Sequence, residues 1–154
     1  PNIERLKKSK KIHMVGIGGV SMSGIAEILI NFGFSVTGSN NVETETTKKL
    51  KENGIQISIG HNKNNITDQD IVVYSAAIKQ DNPELIAAKS KNIPTIERAD
   101  FLGEITRCYQ DTITISGTHG KSTTTSMVSL CFLEALKDPS IQVGADIKQL
   151  NRKL

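Results

Sequence analysis

Apolar positions along the chain alternate between a strand-like and a helix-like spacing. The run Lys11-Ile-His-Met-Val-Gly-Ile17 is short, continuous and rich in aliphatic residues, which predicts a buried strand. Gly18-Gly19 then breaks it, and Ile25, Ile28 and Leu29 fall on one face of a predicted helix from about Ser21 to Phe32. Residues 34–38 predict a second strand. Thr44 to Asn53 predicts a helix stopped by Gly54, and Ile55 to Ile59 a short alternating strand. Asp70 to Ser75 reads as another buried strand, Pro83 opens a helix through about Ser90, Pro94 to Ile96 is a brief strand, and Arg98 to Cys108 is helical. Strands and helices in this rhythm predict an α/β fold built on a parallel sheet with flanking helices.

A polar seam, Tyr109-Gln110-Asp111, follows. Thr112 to Ser116 then predicts a strand feeding a glycine loop, and Lys121 to about Leu136 a helix ended by Pro139. Ile141-Gln-Val143 is read as one further strand, and the polar stretch from Lys148 to Leu154 has no clear destination. The expected organisation is a basic lead-in over 1–10, a domain over 11–108, and the beginning of a second domain over 109–154. One βα unit and a stub are too little to bury a sheet on both faces, so the chain reads as the front portion of something longer.

Composition narrows the classes of function. With 154 residues the chain can bury a core, yet aromatics are only 4% and Trp is absent, so base-stacking platforms for single-stranded nucleic acid are not expected. The net charge of +3 is mild and its cluster at Arg5, Lys7, Lys8, Lys10 and Lys11 is read as a solvated lead-in, so no nucleic-acid partner is expected. Cys108 and Cys131 lack metal-ligand spacing and suit a reducing compartment. No apolar run reaches membrane-spanning length and no signal peptide precedes the first strand, which points to a soluble, cytoplasmic protein with no membrane partner.

Two glycine-rich turns carry the candidate chemistry. In Gly117-Thr118-His119-Gly120-Lys121-Ser122-Thr123 the glycines let backbone N–H groups converge on a polyphosphate, and the following helix turns its positive end to the same anion. Lys121 supplies a point charge for the outer phosphates, and the hydroxyl of Ser122 or Thr123 can join a magnesium shell. Only two residues separate Gly117 from Gly120, where the usual Walker loop has four. The other turn, Gly16-Ile-Gly18-Gly19-Val20-Ser21-Met22, is a variant of the dinucleotide fingerprint with Ser21 in place of the third glycine. The second strand ends in Ser39-Asn40, without the acidic residue that holds a ribose in many NAD proteins, so a different nucleotide is favoured. His61, after Ile59-Gly60, is either a ligand contact or a turn residue. His13 lies inside the first strand and reads as a packed, hydrogen-bonded histidine.

Together these two loops, with Ser75-Ala-Ala-Ile78 and Asp81-Asn-Pro-Glu84, resemble the Mur ligases of peptidoglycan synthesis, and within them the branch that adds L-alanine to UDP-N-acetylmuramate. The resemblance runs over roughly residues 11 to 145. It implies a Rossmann-like first domain for the UDP-sugar, followed by the start of a P-loop-type central ATPase domain. It also implies that ATP phosphorylates the muramate carboxylate and that L-alanine attacks the acyl phosphate. Carried over by position, Gly16, Gly18, Gly19, Val20, Ser21 and Met22 would face the UDP diphosphate, with Ser39, Asn40, His61 and Ser75 near the uridine. Gly117 to Thr123 would hold ATP, Lys121 would be catalytic on the γ-phosphoryl group, and Ser122, where the family usually has Thr, would ligate Mg2+. Asn40 stands where the family often has Asp. The remaining alternatives are an NAD(P)-dependent oxidoreductase domain using the first turn, a non-catalytic UDP-sugar-binding module, and the related ligase that recycles murein tripeptide.

Overall fold

The computed structural model describes residues 10–144. They divide into two compact units at Gln110 and Asp111.

The first unit is a five-stranded sheet whose adjacent strands all pair in parallel, in the order β3-β2-β1-β4-β5. Its strands are β1 (Lys11–Val15), β2 (Ser35–Asn40), β3 (Gln56–Ile59), β4 (Ile71–Tyr74) and β5 (Thr95–Glu97). The helices between and after them are α1 (Val20–Asn31), α2 (Glu45–Glu52), α3 (Pro83–Ser90) and α4 (Arg98–Thr106), with a 3-10 turn at Lys63–Asn65. Side-chain alternation along each strand feeds two apolar layers. Ile12 and Met14 of β1, Val36 of β2 and Val73 of β4 join Ile25 and Leu29 of α1, Leu50 of α2 and Phe101 of α4. On the opposite face Val15 and Val72 meet Ile66 and Leu85 with Ala88 of α3.

Local chemistry sets the helix starts. Thr44 and Thr47 form a reciprocal capping box, each side chain accepting the other's backbone N–H at 3.2 and 2.8 Å, which opens α2. Asn82 caps α3 by accepting from the Glu84 N–H at 2.9 Å, with Pro83 at the first helical position. That cap fixes the rotation of α3 and so the direction of Glu84.

β2 continues two residues beyond the predicted Gly38, because Ser39 and Asn40 stay in register with Ser58 and Ile59 of β3. A polar cavity of about 410 Å³ lies over the β1-β2-β3 part of one face, lined by Lys11, His13, Ser35, Thr37, Gln56 and Ser58 among others. It reaches back to the amino ends of the strands, whereas ligands of open parallel sheets bind outside the carboxyl ends.

In the second unit the described residues hold one helix, α5 (Lys121–Glu134). The strands expected at Thr112–Ser116 and Ile141–Val143 do not form. The described residues of the second unit contain no strand for either segment to pair with, and an isolated strand leaves its N–H and C=O groups to solvent. Ile113, 60% exposed, and Leu136, 93% exposed, are correspondingly unburied. The Lys148 to Leu154 tail and nearly all of the basic lead-in lie outside the described residues. No helix described is long and apolar enough to cross a membrane. Cys108 is buried and Cys131 exposed, and both are thiols.

Candidate functional site

The sheet order reverses between β1 and β4, since the chain runs outward from β1 through β2 and β3 and then returns to add β4 and β5 on the other side. A crevice at the carboxyl ends of the strands flanking such a switch point is the expected ligand position in an open parallel sheet. The Gly16 turn, Ser39, Asn40 and Ser75 all stand there, at the ends of β1, β2 and β4.

The backbone of the turn is pinned from below. Gly16, with φ +81°, and Ile17 both donate their N–H groups to the Ser39 carbonyl, at 2.9 and 3.0 Å. Gly18 N–H donates to the Asn40 side-chain oxygen at 3.2 Å, and the Asn40 amide donates to the Val42 carbonyl at 2.8 Å. A Cβ on Gly18 would sit 2.8 Å from the Asn40 amide nitrogen, and one on Gly16 would sit 3.1 Å from the Ser75 hydroxyl. The glycines thus admit the side chains that close the crevice. Gly19 caps α1 without any side-chain bond, and the first helical bond is Ser23 N–H to the Gly19 carbonyl at 2.8 Å. Amides in the first turn of a helix have no acceptor inside the helix, the ordinary basis of anion binding at a helix start, and the first turn of α1 begins at Val20.

Asn40, expected near the uridine, also braces the turn through its side-chain amide, which accepts from Gly18 and donates to Val42. Asp at this position could accept from Gly18 N–H but could not donate to Val42.

Beneath the crevice is a buried polar cluster. Ser39 Oγ donates to Glu84 Oε2 at 2.6 Å, His61 Nδ1 lies 3.0 Å from Ser39 Oγ and 3.2 Å from Glu84 Oε2, and Asn65 Nδ2 donates to Glu84 Oε1 at 2.5 Å. His13 is packed and hydrogen-bonded as its sequence position implies, with Nδ1 2.8 Å from Thr37 Oγ1, while its Nε2 faces Glu84 Oε1 at 3.6 Å. Burial by itself would push the Glu84 carboxyl up. The facing His13 and the hydrogen bonds from Ser39 and Asn65 outweigh it and hold the group down at about 2. Glu84 is therefore a carboxylate with 0% exposure, hydrogen-bonded to Ser39 of β2, His61 of the loop after β3 and Asn65 of the 3-10 turn, with His13 of β1 facing it.

Two residues of this region, Arg98 and Glu84, were given no site role from sequence. Arg98 opens α4 directly after β5 and its Nη1 donates to Ser21 Oγ at 3.3 Å, placing a half-buried guanidinium at the start of α1. The readable signal was a cation immediately after the carboxyl end of a parallel strand. Glu84 entered the sequence reading only as the end of Asp81-Asn-Pro-Glu84, and the rotation of α3 shows that it points inward.

The second glycine loop is described by itself. Gly120 adopts φ +77° and ψ 0°, the left-handed conformation that glycine tolerates, and the chain passes straight into α5 at Lys121. Lys121 Nζ donates to the carbonyls of Gly117 and Thr118 at 2.6 and 3.3 Å, bringing the ammonium back to the loop. Gly117, Thr118, His119, Gly120, Lys121, Ser122 and Thr123 are all exposed. No cluster of three or more His, Cys, Asp or Glu side chains suited to a metal occurs among the described residues. A Mg2+ ion here would draw at most a hydroxyl oxygen from Ser122 and the rest of its shell from phosphate and water, a donor set Mg2+ accepts.

The chain is 54% identical over 140 residues to a protein of Acetivibrio thermocellus named UDP-N-acetylmuramate--L-alanine ligase, covering 91% of this chain and 30% of that one. A protein of the same name from Clostridium botulinum strain Kyoto is 54% identical over 144 residues, 94% of this chain and 31% of its own. Among solved structures, the UDP-N-acetylmuramate-alanine ligase of Thermotoga maritima superposes with a TM-score of 0.84 at 36% identity, covering 90% of this chain and 33% of that chain. The UDP-N-acetylmuramate:L-alanyl-gamma-D-glutamyl-meso-diaminopimelate ligase of Neisseria meningitides gives 0.76 at 28% identity, over 82% of this chain and 40% of its own. The chain thus spans about 30% of the length of the curated relatives it matches. Residues 11–110 match the profile of the Mur ligase family, catalytic domain, and the chain belongs to the Mur ligase family.

Proposed function

We propose that the protein carrying this chain is a cytoplasmic, ATP-dependent ligase that joins L-alanine to UDP-N-acetylmuramate in peptidoglycan synthesis. The first unit holds the UDP-sugar. The observation that carries this reading is the convergence, at the switch point between β1 and β4, of the pinned Gly16 turn, Ser39, Ser75 and the Arg98 guanidinium. In the proposed pose the diphosphate lies against the first-turn amides of α1, with Arg98 supplying positive charge, and the uridine reaches toward Ser39 and His61. The nicotinamide alternative is not favoured, because β2 ends in a braced asparagine rather than a carboxylate that could hold a ribose.

The second glycine loop is the proposed ATP site. Backbone N–H groups of Gly117 to Thr123 would cradle the phosphates, the Lys121 ammonium would leave the loop carbonyls for the transferring γ-phosphoryl group, and Ser122 would hold Mg2+. When bound, that ion would neutralise phosphate charge. Phosphoryl transfer depends on positioning and electrostatic stabilisation from several sides. The 154 residues by themselves are therefore expected to bind UDP-N-acetylmuramate without ligating it.

Calorimetry of the chain with UDP-N-acetylmuramate should give a saturable heat, and its absence at millimolar ligand would refute the binding assignment. For the full-length protein, ATP, L-alanine and UDP-N-acetylmuramate should yield amide, ADP and phosphate. Lys121→Ala should slow that reaction on the order of 10²–10³-fold. Ligation of the L-alanyl-γ-D-glutamyl-diaminopimelate tripeptide in preference to L-alanine would reassign the protein to the recycling branch.

A further inference from the structure

The proposed function gives Glu84 no part, yet it is the most completely buried charge among the described residues of the first unit, at 0% exposure, and it bonds to two of the proposed uridine contacts. A carboxylate accepts hydrogen bonds and donates none. Ser39 has one hydroxyl proton, and at 2.6 Å from Glu84 Oε2 that proton must lie between the two oxygens, since otherwise lone pairs would oppose each other at that distance. Ser39 Oγ then turns only lone pairs toward His61. His61 Nδ1, 3.0 Å from that oxygen and 3.2 Å from Glu84 Oε2, faces two acceptors and no donor. A bare Nδ1 there would be an unpaired acceptor against a carboxylate. Nδ1 must carry the proton, and in the neutral ring Nε2 is left as a lone-pair acceptor.

We infer that Glu84 is a positioning residue that locks the neutral His61 imidazole in its Nδ1–H tautomer, so that Nε2 is offered as a hydrogen-bond acceptor to an N–H or O–H donor on the bound nucleotide. The arrangement is the logic by which a second hydrogen bond sets the tautomer of a ligand-binding histidine. The other side chains around Glu84 fit this role. Asn65 holds Oε1 at 2.5 Å and its amide also donates to the Gly60 carbonyl at 3.3 Å, tying the carboxylate to the loop that carries His61. The remaining titratable neighbour, His13, faces Oε1, the oxygen that His61 does not use. The Asn82 cap and Pro83 fix the first turn of α3, so Glu84 cannot rotate away without losing the helix start.

The inference rests on the UDP-sugar reading for its ligand but not for its geometry, and the two are separable. In the ligand-free chain at alkaline pH, where the ring is neutral, the imidazole 15N shifts of His61 should show a protonated Nδ1 and a bare Nε2. A protonated Nε2 would overturn the inference whatever the chain binds, and this measurement needs no variant. Glu84→Gln, close in volume, presents an amide that can donate, so the His61 signals should move toward a tautomer mixture. Affinity for UDP-N-acetylmuramate should fall about tenfold, the scale of one lost hydrogen bond. Unchanged 15N shifts in Glu84→Gln, or shifted tautomers with undiminished affinity, would each refute the positioning role. If wild type bound no UDP-N-acetylmuramate at all, the substrate reading would fail, while the 15N shifts would still decide for or against Glu84.

Discussion

Gly38 and Glu84 respond to substitution for opposite reasons. Gly38 sits inside β2, where a Cβ would come within 2.7 Å of Ile17 Cδ1 and 2.9 Å of Ile17 Cβ. Because Ile17 is itself fully buried and its Cβ cannot swing away, Gly38→Ala should cost about 1–3 kcal/mol in urea unfolding, through overpacking. A neutral result would mean the β1-turn junction is looser than its packing implies. Glu84 governs acid stability. Its carboxyl, held down at about 2 in the fold, starts from 4.5 in the unfolded chain, so the unfolded state binds the proton first as pH falls. The stabilisation is complete above that higher value and is lost between it and about 2, amounting to roughly 3 kcal/mol at most. Unfolding free energies measured across this interval should decline in wild type and decline less in Glu84→Gln. Parallel slopes would show that Glu84 is not a carboxylate sink for acid unfolding.

Elements differ in how openly the chain announces them. The parallel strands were legible as short apolar or alternating runs between turn residues, α2 through its stop at Gly54 and α3 through Pro83 at the first helical position. Thr112 to Ser116 carried the same strand signal and failed. Propensity gives a segment the right side chains for a ladder, but only a neighbouring strand supplies the ladder. The candidate site was half legible for a related reason. Glycines that must turn a backbone are visible in the sequence, whereas the inward rotation of Glu84 and the approach of Arg98 to Ser21 join residues 45 and 77 positions apart from their partners. The start of α4 is therefore a useful test. Arg98→Ala should weaken UDP-N-acetylmuramate binding about tenfold to a hundredfold, the range of a charge-assisted hydrogen bond, and Arg98→Lys should recover only part because a point charge lacks the fork geometry. Since Arg98 is half exposed, unfolding should shift by no more than about 0.5 kcal/mol. Equal affinity for wild type and both variants would remove Arg98 from the site.

For the molecule as a whole, the two units should differ sharply in how they open. Every buried apolar side chain of the two cores belongs to residues 12–108, and in the described part of the second unit Ser129 is the one buried residue. The hydroxyls of Thr125, Ser126 and Ser129 bond back to carbonyls four residues earlier in α5, which satisfies polar groups without contributing a core. Amides of β1 and β4, the middle of the parallel sheet, should thus exchange with solvent deuterium only through global unfolding, while those of α5 should exchange through local opening at far lower free energy. UDP-N-acetylmuramate at about a hundred times its dissociation constant should stabilise the first unit by about 2.7 kcal/mol and slow exchange in β1 and β4 by the corresponding factor of about one hundred. Because the proposed ligand contacts lie within residues 16–98, exchange in α5 should stay unchanged on the same addition. Hydrogen exchange read by mass spectrometry with and without the UDP-sugar measures both units in one experiment. Protection that rose equally in α5 would show the two units to be thermodynamically coupled, and the assignment of UDP-sugar binding to the first unit alone would have to be abandoned.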